Sequence, residues 1–156
     1  MKYEKIWQKV LSDGEKVEYE FSYGDRYLKI GLIAGIVLSV ILMFGFIGFI
    51  LLPIEIFLWA FYFRVANSYA FTNKRVLIHK GWLSTHTTSI DFHKITDVSV
   101  VEPFLDRIIY HTGSILIDTA GMSGDDIILK HIEHPYEVQK KLNLLKDKVS
   151  HHGNGI

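Results

Sequence analysis

The sequence predicts an α+β chain: a transmembrane helical hairpin joined to a small antiparallel β-sandwich or barrel, which a C-terminal helix closes. Three observations predict it. Residues 30–63 read IGLIAGIVLSVILMFGFIGFILLPIEIFLWAFYF, with Glu55 as the only charged side chain. Beyond residue 66 the pattern changes from continuous apolar to short runs that alternate with period two. From residue 135 onward a helical spacing of apolar residues takes over.

Taken in order, residues 1–26 carry an amphipathic helix and a strand. Tyr3, Ile6, Trp7, Val10 and Leu11 recur at helical spacing over 1–12, with Lys2, Lys5 and Lys9 among them. Such a helix either lies in a membrane interface or packs on a folded domain. Ser12-Asp13-Gly14 breaks it. Residues 15–23 then alternate, Val17, Tyr19 and Phe21 against Glu18, Glu20 and Ser22, as a half-buried strand does.

Residues 27–66 form the hairpin. A bilayer core takes about 20 apolar residues per crossing, so the run is too long for one ordinary span and suits two tight ones. Arg26 and Lys29 precede it, and Arg64, Lys74 and Arg75 follow it. Basic flanks stay cytoplasmic, which fits two crossings with both termini inside; one long tilted or kinked helix is the competing reading. Gly45, Gly48 and Pro53 offer the turn, with helices over 28–47 and 50–66 and Pro53 in the first turn of the second. Trp59, Tyr62, Phe63 and Tyr69 read as an aromatic belt at the inner end. An ionisable residue within a membrane is a functional candidate by default. For Glu55 the plainer reading is a carboxylate in the first helical turn, where the helix dipole and the outer interface favour it.

Residues 67–150 read as the β domain. Strands are expected at 69–72 and 75–79 around an Asn73-Lys74 turn, at 83–90 after Gly81-Trp82, and at 95–101, 113–119 and 126–132, with a turn over 121–124. Residues 103–110 break the pattern as a loop or helical turn. A helix over 135–149 begins with Pro135 and Glu137, ends near Lys146 and Lys148, and presents Val138, Leu142, Leu145 and Val149 as one stripe. Residues 151–156 read as a disordered tail.

The chain has 156 residues, a formal net charge of zero and no cysteine. The charge balance gives no bias toward nucleic acid. The lack of cysteine excludes disulfides, thiolate chemistry and Cys-based zinc sites. The late start and length of the apolar run fit a retained anchor rather than a cleaved signal peptide.

Several stretches together resemble the YdbS-like bacterial PH domains, also called membrane-flanked domains. They are Tyr69-Ala70-Phe71-Thr72-Asn73-Lys74-Arg75-Val76, Lys80-Gly81-Trp82-Leu83, the segment 89–98 (SIDFHKITDV), Leu105-Asp106-Arg107-Ile108 and Gly113-Ser114-Ile115, with Asp13-Gly14-Glu15 ahead of the apolar run. The resemblance implies a pleckstrin-homology fold and no established enzyme activity. It also makes Lys74, Arg75 and Arg64 candidate contacts for anionic lipid headgroups, since basic residues near a comparable hairpin serve that role in other PH domains.

Other chemistry is poorly represented. The eight histidines include His131-x-x-His134, but no nearby carboxylate or imidazole set completes a tetrahedral site. There is no G-x-S-x-G, H-E-x-x-H or P-loop pattern. The sequence therefore predicts a non-catalytic, cofactor-free module at the cytoplasmic face of the cell membrane. Its expected partners are the lipid bilayer and another membrane or membrane-associated protein. Headgroup recognition is the alternative.

Overall fold

The computed structural model describes residues 3–43, 46–120 and 127–153. Among these residues, seven strands form two antiparallel sheets. The first has the order β1 (Val17–Ser22), β2 (Asn67–Thr72), β3 (Arg75–Lys80), β4 (His86–Asp91); the second has β5 (Ile95–Val101), β6 (Thr112–Thr119), β7 (Ile127–Glu133). Strand β1, which precedes the apolar run, thus completes the first sheet: Phe21 lies opposite Tyr69, and Ser22 opposite Ser68.

Alternation decides what each strand buries. Tyr69 and Phe71 of β2 and Val76 and Ile78 of β3 face the second sheet, where Ile115, Ile117, Leu129 and Ile132 meet them. The opposite face of β2 and β3 presents Ala70 and Leu77 and is covered by Tyr3 and Trp7. Trp7 belongs to α1 (Glu4–Trp7), one turn of helix rather than the expected run over 1–12. It is fully buried and donates its indole N–H to Glu20 at 3.3 Å. The N-terminal segment therefore packs on the β domain.

Between β1 and β2 the chain forms two helices, α2 (Asp25–Leu42) and α3 (Ile47–Ala66). They pack antiparallel. Gly31 lies against the Trp59 ring, Gly35 against the Glu55 carboxylate, and Gly48 against the Ser39 carbonyl. Within α3, residues Leu58–Tyr62 widen into a π-helical turn.

Two expectations are corrected here. The first helix ends at Leu42 rather than 47 and the second starts at Ile47 rather than 50, after a left-handed Phe46 (φ 61°), so Pro53 lies inside α3 and not in its first turn. Glu55 accordingly sits about two turns into α3, not in its first turn. Tyr69, expected in an aromatic belt, is a core residue with 1% exposure, because β2 has already begun at Asn67.

The third connection differs in detail. Strand β4 begins at His86 rather than near residue 83, and 103–110 ends in a π-helical turn, Asp106–Tyr110, closed by left-handed His111. The final helix α4 (Pro135–Gly153) buries Val138, Leu142 and Leu145, with Val149 at the margin of the core. Gln139 ties it to β5 by donating to the Val98 carbonyl at 2.6 Å. The helix runs into the stretch expected as a tail. The expected 121–124 turn, Asp126 and the end of the tail lie outside the described residues.

Candidate functional site

The helix pair meets the two sheets at a root built largely from aromatic rings. Tyr27, on the first turns of α2, stacks on His131 of β7 at 3.8 Å and 11°. It also contacts Tyr23, Trp59 and Tyr110 edge-on or tilted, at 5.9, 5.8 and 5.0 Å. A cavity of about 360 Å³ opens here between Tyr23, Tyr27, Trp59, Tyr62, Asn67 and His131. Burial lowers the pKa of His131, against the opposing charge of Asp106, whose carboxylate lies 3.8 Å from Nδ1. Polar groups clamp the root. The Ser22 hydroxyl donates to the Arg64 carbonyl at 2.7 Å, the Arg64 guanidinium pairs with Asp25 at 2.8 Å, and the Gly24 N–H donates to the His131 carbonyl at 2.7 Å.

Above the root, the helices face each other through small side chains. Gly31, Gly35 and Ser39 recur every four residues on α2 and so share one face. A Cβ on Gly48 would collide with the Ser39 carbonyl, so the backbones approach as closely as the missing side chain allows. Glu55 is anchored in this seam, accepting from the Ser39 hydroxyl at 2.7 Å. The outward faces are apolar and exposed: Ile33, Val37 and Ile41 on α2, and Ile47, Ile50, Ile54 and Phe57 on α3.

The three cations singled out in the sequence do not converge. Arg64 occupies the last turn of α3, just before β2; Lys74 and Arg75 follow β2, about 20 Å farther along the strand. Lys74 is exposed at the β2–β3 turn. Arg75 turns inward on Glu15, with Nε to Oε1 at 2.9 Å and Nη2 to Oε2 at 2.7 Å, and reaches the Ser12 hydroxyl at 3.0 Å. Glu15 also accepts from the Ser12 N–H and the Thr72 hydroxyl, at 3.0 and 2.7 Å. The Arg75 hydrogen bonds, helped by these donors and opposed by burial, hold the Glu15 carboxyl down at about 2. In turn, Glu15 raises the Arg75 pKa.

A second cavity, of about 340 Å³, lies between β1 and the start of α4, with Glu20, Asp25, Glu133 and Glu137 in its wall. His131 and His134 both take left-handed conformations, and His134 starts α4 by accepting from the Glu137 and Val138 N–H groups. Among the described residues no three His, Asp or Glu side chains gather as metal ligands.

Two parts of this arrangement escaped the sequence reading. The seam was signalled by the four-residue spacing of Gly31, Gly35 and Ser39. The Glu15–Arg75 pair had no local signal, because its partners lie sixty positions apart in the chain.

Comparison with known proteins fits this architecture. The profile of the family described as bacterial PH domain matches residues 27–146, which includes both helices as well as the strands from β2 onward. The crystal structure of a DUF1696 family protein with a pleckstrin-homology domain from Shewanella loihica PV-4 superposes with a TM-score of 0.51 at 13% identity, covering 93% of this chain and 94% of that one. That of a pleckstrin-homology domain from Shewanella amazonensis SB2B gives 0.50 at 14% identity, covering 90% and 82%. These likenesses establish the PH-like fold, and no catalytic family is indicated. No curated protein matches the chain.

Proposed function

This chain belongs to the bacterial PH domain family, and on that premise we propose that it is a non-catalytic module of the YdbS-like, membrane-flanked kind. Its helix pair enters the cell membrane, its termini stay on the cytoplasmic side, and its β domain binds another membrane or membrane-associated protein. Three features support the membrane part. Helix α3, alone among the described residues, is long and apolar enough to cross a bilayer. The outer faces of both helices are apolar. Strands β1 and β2, on either side of the pair, are hydrogen-bonded neighbours, which fits an even number of crossings. Glu55 then serves as a fastener between helices, through Ser39.

One observation favours a protein partner over a lipid headgroup: Arg64 and Arg75 are committed to Asp25 and Glu15 and lie at opposite ends of β2. A headgroup pocket needs cations that converge on one anion. Tethering also raises the local concentration of the domain at the membrane, so a modest protein contact suffices. The β4 edge, with His86, Thr87 and Ser89 exposed, suits such a contact, since a sheet edge can accept an added strand.

The test is native mass spectrometry of the full chain extracted from its own membrane in mild detergent. A stoichiometric second protein is expected. A lone monomer or homo-oligomer carrying anionic lipid overturns the adaptor reading in favour of headgroup recognition.

A further inference from the structure

The β domain itself carries exposed apolar side chains, and they are concentrated beside the root. The β3–β4 loop, residues 81–85, presents Trp82 and Leu83, the latter 87% exposed. The segment 103–110 presents Phe104 at 69%, Leu105 at 59% and Ile108 at 50%. These two stretches flank the helix pair. Trp82 packs edge-on against Phe57 and Phe61 of α3, with centroids at 5.8 and 5.9 Å. Tyr110 packs against Tyr27 at the foot of α2.

Length turns this proximity into a constraint. The twenty residues of α3 rise about 30 Å, the thickness of a bilayer hydrocarbon core. No length is left over to hold the β domain clear of the membrane. If α3 crosses, Phe57 and Phe61 lie inside the cytoplasmic boundary by roughly 8–14 Å for an upright helix, and Trp82 is fixed to both rings.

We propose that loop 81–85 and segment 103–110 form an apolar collar seated in the cytoplasmic leaflet around the base of the helix pair. The occupant of this surface is lipid: the patch is continuous with the apolar helices, and a Trp–Leu pair beside Phe57 and Phe61 matches the amphipathic anchors of a membrane interface. Lys80, just before the first stretch, and Arg107, within the second, are both exposed and can reach lipid phosphates. The collar deepens the proposal above and rests on its membrane part. It gives the β domain a fixed tilt, with the β2–β3 turn pointing away from the bilayer.

The chain lacks cysteine, so single cysteines can be placed cleanly. Full-length L83C, L105C, V37C and K74C variants, each labelled with an environment-sensitive fluorophore, are reconstituted in phosphatidylethanolamine–phosphatidylglycerol vesicles. Quenching by iodide in water is compared with quenching by spin-labelled lipid. V37C reports the helix pair and K74C the distal turn. All four positions are exposed or outward-facing, so the label does not disturb the core. We expect lipid quenching at V37C, L83C and L105C, with iodide quenching at L83C and L105C at least about threefold weaker than at K74C. Lipid quenching at V37C with full iodide access at L83C and L105C overturns the collar and leaves the membrane part standing. Iodide access without lipid quenching at V37C overturns the membrane part and the collar with it.

Discussion

Glu15 and Arg75 show how much structure one pair can hold. The carboxylate is fully covered, the guanidinium is 19% exposed, and between them they join residues 10–15 to the β2–β3 turn. Removing the cation alone leaves a buried anion, so R75M is expected to destabilise the protein by about 2–4 kcal/mol. The double variant E15Q/R75M should recover part of that loss. Chemical denaturation in detergent measures both. The same pair sets an acid limit. Because the folded pKa of Glu15 lies at about 2, below its ordinary 4.5, its stabilisation is complete above pH 4.5 and is lost as the pH falls toward 2. The contribution is on the order of 3 kcal/mol, and in E15Q this limb of the pH–stability curve should flatten.

At the scale of the elements, the helix pair depends on where side chains are missing. An alanine at Gly48 would place its Cβ against the Ser39 carbonyl and the Met43 amide, both backbone. At Gly31 the atoms an alanine would meet first belong to a side chain, the Trp59 ring, rather than to the backbone. G48A is therefore expected to cost about 2 kcal/mol or more and to splay the helices, and G31A to cost less. Thermal unfolding in one detergent orders the two variants; a G48A as stable as the wild type would show that the seam does not hold the pair. Pro53 is tolerated within α3 because the missing hydrogen bond to the Phe49 carbonyl is a local loss, whereas reversing the chain there would forfeit the whole contact between Gly48 and Ser39.

The molecule as a whole was legible in the sequence wherever a signal was periodic or local. The apolar run, the Asn73-Lys74 turn and the Val138–Leu142–Leu145 stripe each reduce to spacing along the chain. What escaped was non-local. The pairing of β1 with β2, the burial of Trp7 on the outer sheet face and the capture of Arg75 by Glu15 depend on segments brought together from across the helix pair. The pairing yields a prediction at this scale. Ser22 and Ser68 are register partners, so replacing residues 24–66 by a short Gly-containing turn should turn β1 and β2 into an ordinary β-hairpin. The product should be a soluble seven-stranded domain with one cooperative unfolding transition. A product that aggregates or melts without cooperativity would mean that the aromatic root is needed for the β domain to fold.

Synthesis adds a timing problem to this arrangement. Strand β1 leaves the ribosome before the helices, and its partner leaves after them. At ordinary elongation rates the interval is on the order of seconds. During that time β1 is an unpaired strand displaying Tyr19 and Phe21. Glu18 and Glu20, alternating with those rings, are the kind of charge that discourages a lone strand from pairing with the wrong neighbour. If the helices cross the membrane as proposed, only a chain that they return to the starting side can close the sheet. On that proposal, a nascent chain threaded the wrong way keeps an open sheet edge.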